Sequence, residues 1–144
     1  MESRTFTSTN GLELIIKSRK SAVIFEIEQM NTQQLKAQYN FEFKFYPEVF
    51  SELLQYIENV SNKSWVGLSP KDVDGLGSDY YEYYDRKLDN NGYLTIVKNG
   101  LSIERPSLES GRLYQFNKKK MESFIYDFKK IIESIKNTDK MRIN

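Results

Sequence analysis

In the stretch FEFKFY, Phe41, Phe43 and Phe45 alternate with Glu42 and Lys44. A period of two puts the three rings on one face of a half-buried strand. The period then changes. Phe50, Leu53, Leu54 and Ile57 recur at the spacing of one apolar stripe on a helix running to Val60. Pro47 suits the first turn of that helix, where its missing N–H is not needed. The same succession returns near the other end of the chain. Tyr114 and Phe116 alternate in RLYQF, Asn117 supplies a helix cap, and Met121, Phe124, Ile125, Phe128, Ile132 and Ile135 form a second stripe. Between these blocks, Asn90-Asn91-Gly92 and Asn99-Gly100 are hairpin signals, separating YYEYYDRK, YLTIVK and LSIER. Pro106 ends the last of these strands.

Two stretches of the chain match each other. Asn10 to Lys17 matches Asn91 to Lys98 at an offset of 81 residues, each a turn followed by a strand rich in β-branched side chains. Phe43, Phe45, Phe50, Leu53, Leu54 and Ile57 match Tyr114, Phe116, Met121, Phe124, Ile125 and Phe128 at an offset of 71. The shortfall of ten residues is assigned to a longer hairpin around QMNTQQLKAQ in the first half. The predicted fold is α+β: two ββββα units forming antiparallel sheets, each with one packed helix. The 144 residues form one domain of two similar halves, about 1–60 and 79–144, joined by 61–78.

Composition narrows the chemistry. A chain with 39% hydrophobic residues and 14% aromatics has ample core for a globular fold. With no cysteine, disulfides, zinc–thiolate sites and a cysteine nucleophile are all excluded. With no histidine, the commonest general base and transition-metal ligand is missing. The start, MESRTFTSTN, carries no cationic stretch leading into an apolar core, and the longest apolar runs fall far short of a membrane span. A cytoplasmic protein without a membrane segment is expected.

The remaining motifs do not assemble a reaction. Asp72-x-Asp74 opens like a calcium loop, but Leu76 takes the third ligand place and Tyr83 the closing one. Gly75-Leu76-Gly77 lacks the third glycine and the lysine of a phosphate cradle. Glu26 and Glu28 share a strand face, which on a solvated sheet means ordinary solubility. No catalytic residue, cofactor or metal site is predicted, and the chain is expected not to be an enzyme.

The net charge of +1 hides an uneven distribution. Residues 61–85 carry five acids and two bases, whereas the chain from Asn117 onward carries eight bases and four acids. The acidic part contains SDYYEYYDRK, in which Tyr80, Tyr81, Tyr83 and Tyr84 lie among Asp79, Glu82 and Asp85. Alternation puts Tyr80, Glu82 and Tyr84 on one face and Tyr81, Tyr83 and Asp85 on the other, neither cleanly apolar, as at a sheet edge. Tyrosine offers rigid contact area with a polar tip, and interleaved acids steer a basic partner. Asp72, Asp74, Asp79, Tyr80, Tyr81, Glu82, Tyr83, Tyr84 and Asp85, with an exposed Trp65, are the predicted partner-binding residues. An exposed strand would also permit a homodimer.

Two resemblances frame a function. In element order alone, a ββββα unit used twice resembles the Whirly and PUR groups of single-strand nucleic-acid binders. No binding residues carry over from it; on the residues themselves, aromatic strands can stack bases, and Lys118, Lys119 and Lys120 can meet phosphates. These lysines sit in the first turn of a helix, where positive charge opposes the macrodipole. Yet the richest aromatic segment is acidic, where phosphates are repelled. The segment Gly111 to Ile135 is similar to the C-terminal strand and helix of small immunity proteins of bacterial toxin–immunity systems, including contact-dependent growth inhibition. This resemblance implies a non-catalytic protein that occludes one cognate toxin domain, often a nuclease and therefore basic. Neutralisation of a toxin is the expected function, with single-stranded nucleic-acid binding as the alternative.

Overall fold

The computed structural model describes residues 2–72, 80–109 and 111–143. Asp74, Asp79 and the Gly75–Gly77 turn lie outside them. The strands are β1 (Glu2–Thr7), β2 (Glu13–Arg19), β3 (Ala22–Ile27), β4 (Asn40–Lys44), β5 (Glu82–Asp85), β6 (Asn90–Val97), β7 (Gly100–Glu104) and β8 (Tyr114–Phe116). Helices α1 (Gln33–Lys36), α2 (Pro47–Ser64) and α3 (Lys118–Ile143) complete the fold. Two antiparallel four-stranded sheets result, in the orders β1-β2-β3-β8 and β4-β7-β6-β5. The class is α+β, as the alternation and stripes predict. No helix among the described residues is long and apolar enough to cross a membrane.

Each sheet borrows its last strand from the other half of the chain. β4 pairs with β7 from Asn40 opposite Glu104 to Lys44 opposite Gly100. β8 pairs with β3, with Tyr114 opposite Phe25 and Phe116 opposite Val23. Both expected helices start where they should: Pro47 occupies the first turn of α2, and the Asn117 side chain accepts from Lys120 N at 2.8 Å to cap α3. The first stripe is buried, and so is the second from Met121 to Phe128, while Ile132 and Ile135 are half-buried; α2 and α3 lie against each other and against the apolar sheet faces. The core is continuous across both sheets.

Burial agrees with the sequence match in one block and is out of step with it in the other. At the offset of 71, buried residues match buried residues throughout, from Phe43 with Tyr114 to Ile57 with Phe128. At the offset of 81, buried Leu14 and Ile16 fall on exposed Thr95 and Val97. Pairing places Ile16 opposite Phe25 and Ile96 opposite Leu101, and then Phe25 opposite Tyr114 and Leu101 opposite Phe43. Ile16 therefore corresponds to Ile96. Matching letters one residue out of step exchanges the two sheet faces, so burial decides the alignment.

Both hairpin signals are displaced. The β6–β7 turn is Lys98-Asn99, with Val97 opposite Gly100 and Asn99 at φ 56°. Asn90 to Gly92 lie inside β6, and the turn before them is 86–89, with Asp89 at φ 49°. Gly100 is needed for close approach instead: a Cβ there would lie 2.4 Å from the Phe43 carbonyl oxygen. Gly100→Ala must push β4 off β7, and urea denaturation should show a loss of about 1–3 kcal/mol, the usual cost of overpacking.

QMNTQQLKAQ is a crossover carrying α1, because β4 leaves for the other sheet. Thr32 caps α1, accepting from Leu35 N at 3.3 Å. Arg105, among the largest fully buried side chains, fastens the crossover to the sheet. Its guanidinium donates to the carbonyls of Gln38 at 2.7 Å, Lys36 at 2.8 Å and Leu35 at 3.1 Å, and stands 5.6 Å from the Phe41 ring centre. A cation at these carbonyls also suits the negative end of the helix.

Candidate binding surface

The strand within SDYYEYYDRK begins only at Glu82, so Tyr80 and Tyr81 escape the expected alternation. Tyr80 turns inward, with its ring 5.3 Å from Phe124 and its carbonyl accepting from the Tyr114 hydroxyl. Its own hydroxyl is bonded to Asp127, and burial first, then this carboxylate, pushes the phenol well above its ordinary pKa. Tyr81 faces water. From Glu82 onward alternation holds, with Glu82 and Tyr84 outward and Tyr83 and Asp85 inward. Tyr83 packs on Tyr114 with ring centres 5.4 Å apart, and burial, then Asp85, raises its pKa.

Three predicted site residues therefore leave the surface. Trp65, expected to be exposed, is 8% exposed and belongs to the core at the end of α2. Tyr80 is also core. Asp85 is buried and accepts from Lys87 N at 3.0 Å and Leu88 N at 3.2 Å, which shapes the β5–β6 turn. Its acidity serves the hairpin rather than a partner. Asp72 stays exposed, near a stretch held to α3 where Ser69 N donates to Glu122 at 2.7 Å.

The inward tyrosines make stability sensitive to alkali. A phenol whose pKa is raised by folding is held protonated after the unfolded chain has begun to ionise. The stabilisation is complete below the ordinary value of 10.0 and is lost as pH rises beyond it. The unfolding free energy should then fall by about 1.4 kcal/mol per pH unit for each such group. Tyr80→Phe should flatten the slope by about one group's share in urea denaturation curves between about pH 10 and 11.5.

What the structure does bring together is the outer face of the sheet built from β4 to β7. One row across all four strands reads Glu82, Tyr93, Glu104, Asn40, each opposite the next. Tyr84 and Asn91 form the row on one side, and Thr95, Ser102 and Glu42 the row on the other. Tyr84 is 52% and Tyr93 41% exposed, while the Tyr84 hydroxyl is bonded to Asp89. Glu42, Glu82 and Glu104 make no ion pair among the described residues. Sequence reasoning missed Glu42, Tyr93 and Glu104. The outward positions of FEF, YLTIV and LSIE were legible as alternation, but no local signal says that these strands are neighbours.

The basic triplet is divided. Lys119 is exposed and Lys118 half-buried, while the Lys120 ammonium is bonded to the Glu82 carbonyl. Lys120 also lines an open cleft of about 420 Å³ with Ser21, Tyr83, Tyr84, Gln115, Phe116 and Asn117. No group of three or more acidic side chains among the described residues is arranged to hold a metal ion. Compared with protein-family models, curated protein sequences and solved structures, the chain has no match.

Proposed function

We propose that this is a non-catalytic binding protein that neutralises a basic toxin domain, a nuclease being the best-fitting class, by covering its active site. The observation that carries this reading is the group of carboxylates without ion pairs among the described residues and exposed tyrosines in adjoining rows of one four-stranded face. A nuclease site is positively charged to hold phosphates. An acidic aromatic face can dock there through the same charges, with tyrosine supplying contact area at little entropic cost. On this reading the partner contacts are Tyr81, Glu82 and Tyr84 with Tyr93, Glu104 and Glu42.

The test has two arms. Proteins retained on the immobilised chain are assayed for cleavage of DNA and RNA, with and without added chain. Stoichiometric suppression of a recovered nuclease supports the reading. In parallel, labelled single-stranded DNA and RNA are titrated by fluorescence polarisation at about 0.15 M salt. Binding tighter than about 10⁻⁶ M, the tight end of non-specific affinity, would overturn it.

That second outcome would favour a single-stranded nucleic-acid binder. The cleft beside Tyr84 supports this alternative, since Lys120, Asn117 and Gln115 could meet phosphate or base edges there. The strand orders also fit two intertwined ββββα units, because β1-β2-β3-β8 maps onto β5-β6-β7-β4. We read the chain as such a duplication, of Whirly-like type.

A further inference from the structure

Tyr93 stands between two carboxylates. Glu82 is directly opposite it on β5 and Glu104 directly opposite on β7. Strands about 4.8 Å apart place the two acids' backbone positions roughly 10 Å from each other, with Tyr93 on the strand between them. On the sheet containing β1 to β3 two acids are satisfied internally: Glu26 pairs with Lys17 at 2.9 Å and Glu28 accepts from Thr5 at 3.2 Å. Glu82 and Glu104 make no ion pair among the described residues, and the Lys120 ammonium beside Glu82 is bonded to its backbone carbonyl.

The shape of the row selects the cation. A guanidinium is planar, so it can lie against the ring and direct its paired N–H groups at a flanking carboxylate. An ammonium is compact and more strongly hydrated, and it offers the ring no plane. We infer that Glu82, Tyr93 and Glu104 form an arginine-recognition site, and that the partner in the reading above, on which this rests, presents an exposed arginine to it. Glu42 and Tyr84, in the adjoining rows, extend the site toward a second basic side chain.

Fluorescein-labelled nona-arginine and nona-lysine peptides are the probes, titrated against the full chain at about 0.05 M and 0.15 M salt. Nona-arginine should bind at least about five-fold more tightly than nona-lysine. The Glu82→Gln/Glu104→Gln double variant should weaken nona-arginine by about ten-fold, and Tyr93→Ala by about three- to ten-fold. Glu26→Gln/Glu28→Gln makes the same change in net charge on the other sheet and should shift affinity less than about two-fold. Thermal melts within a few degrees of the parent show that each variant is folded. Equal losses in the two double variants, or equal affinity for the two peptides, overturn the assignment.

Failure here is separable from failure of the proposed function. A recovered nuclease neutralised equally well by the Glu82→Gln/Glu104→Gln chain removes this site and leaves the reading. A site that behaves as expected toward the peptides, in a chain that suppresses no nuclease, removes the reading and leaves the site.

Discussion

Arg105→Ala is expected to destabilise the protein by about 3–5 kcal/mol, seen as a large fall in the urea midpoint and as loss of protection of the α1 amides in hydrogen exchange. Three buried or half-buried carbonyls, those of Leu35, Lys36 and Gln38, would lose a charged donor together. Each unsatisfied acceptor costs roughly 1–3 kcal/mol, and an arginine-sized void adds to this. Burial lowers the guanidinium pKa, but from so high a value that the group stays charged at neutral pH. Arg105→Met separates the two contributions, since it fills most of the volume and leaves the carbonyls unpaired. Arg105→Lys should recover less than half of the loss, because a point cation cannot reproduce a fork that reaches several carbonyls. A loss below about 1 kcal/mol for Arg105→Ala would show that the crossover re-solvates without harm.

Phe124→Ala is the second large effect, at about 3–5 kcal/mol by the same assay. The Phe124 ring stands 6.0 Å from Phe25, 5.3 Å from Tyr80, 5.0 Å from Phe116 and 5.6 Å from Phe128. Phe25 and Phe116 belong to one sheet, Tyr80 leads into the edge strand of the other, and Phe128 faces α2 through Phe50 at 4.5 Å. Truncation therefore opens a cavity where four parts of the fold meet, and each ring pair is worth about 0.5–1.5 kcal/mol beyond its buried area. Phe124→Leu retains much of the volume and should cost clearly less. Because Tyr80 precedes β5, Phe124→Ala should also loosen the edge that carries Glu82 and Tyr84, raising hydrogen exchange there before global unfolding.

The acidic tyrosine stretch shows why reading a binding surface from one segment goes only part of the way. Glu82 and Tyr84 are where an exposed edge strand would put them, Tyr81 is exposed just ahead of that strand, and β5 is the edge of its sheet. Tyr80, Asp85 and Trp65 carry the same chemical promise in the letters. They are used instead for core packing, a turn and a helix end. An aspartate that shapes a turn and one that meets a partner look identical in sequence, because the difference lies in which backbone N–H groups come within reach.

Local patterning was sufficient for β4 and the starts of the two long helices. The Phe41 to Phe45 alternation, the two apolar stripes, Pro47 at the start of α2 and Asn117 before α3 all depend on neighbours within a few residues. Such preferences act on the chain before it has any tertiary contact. The tertiary structure alone decided that β4 and β8 exchange sheets, that both hairpins turn ahead of their glycines, and that Gly100 serves the close approach of Phe43. It also decided that Glu82, Tyr93 and Glu104 form one row. A strand's partner is set by the total apolar area that all strands bury together, and a single strand's pattern fits several partners equally well. The sequence by itself determined which side of a cleanly alternating strand such as β4 meets water, and the pairing of distant strands determined what the outward sides form together.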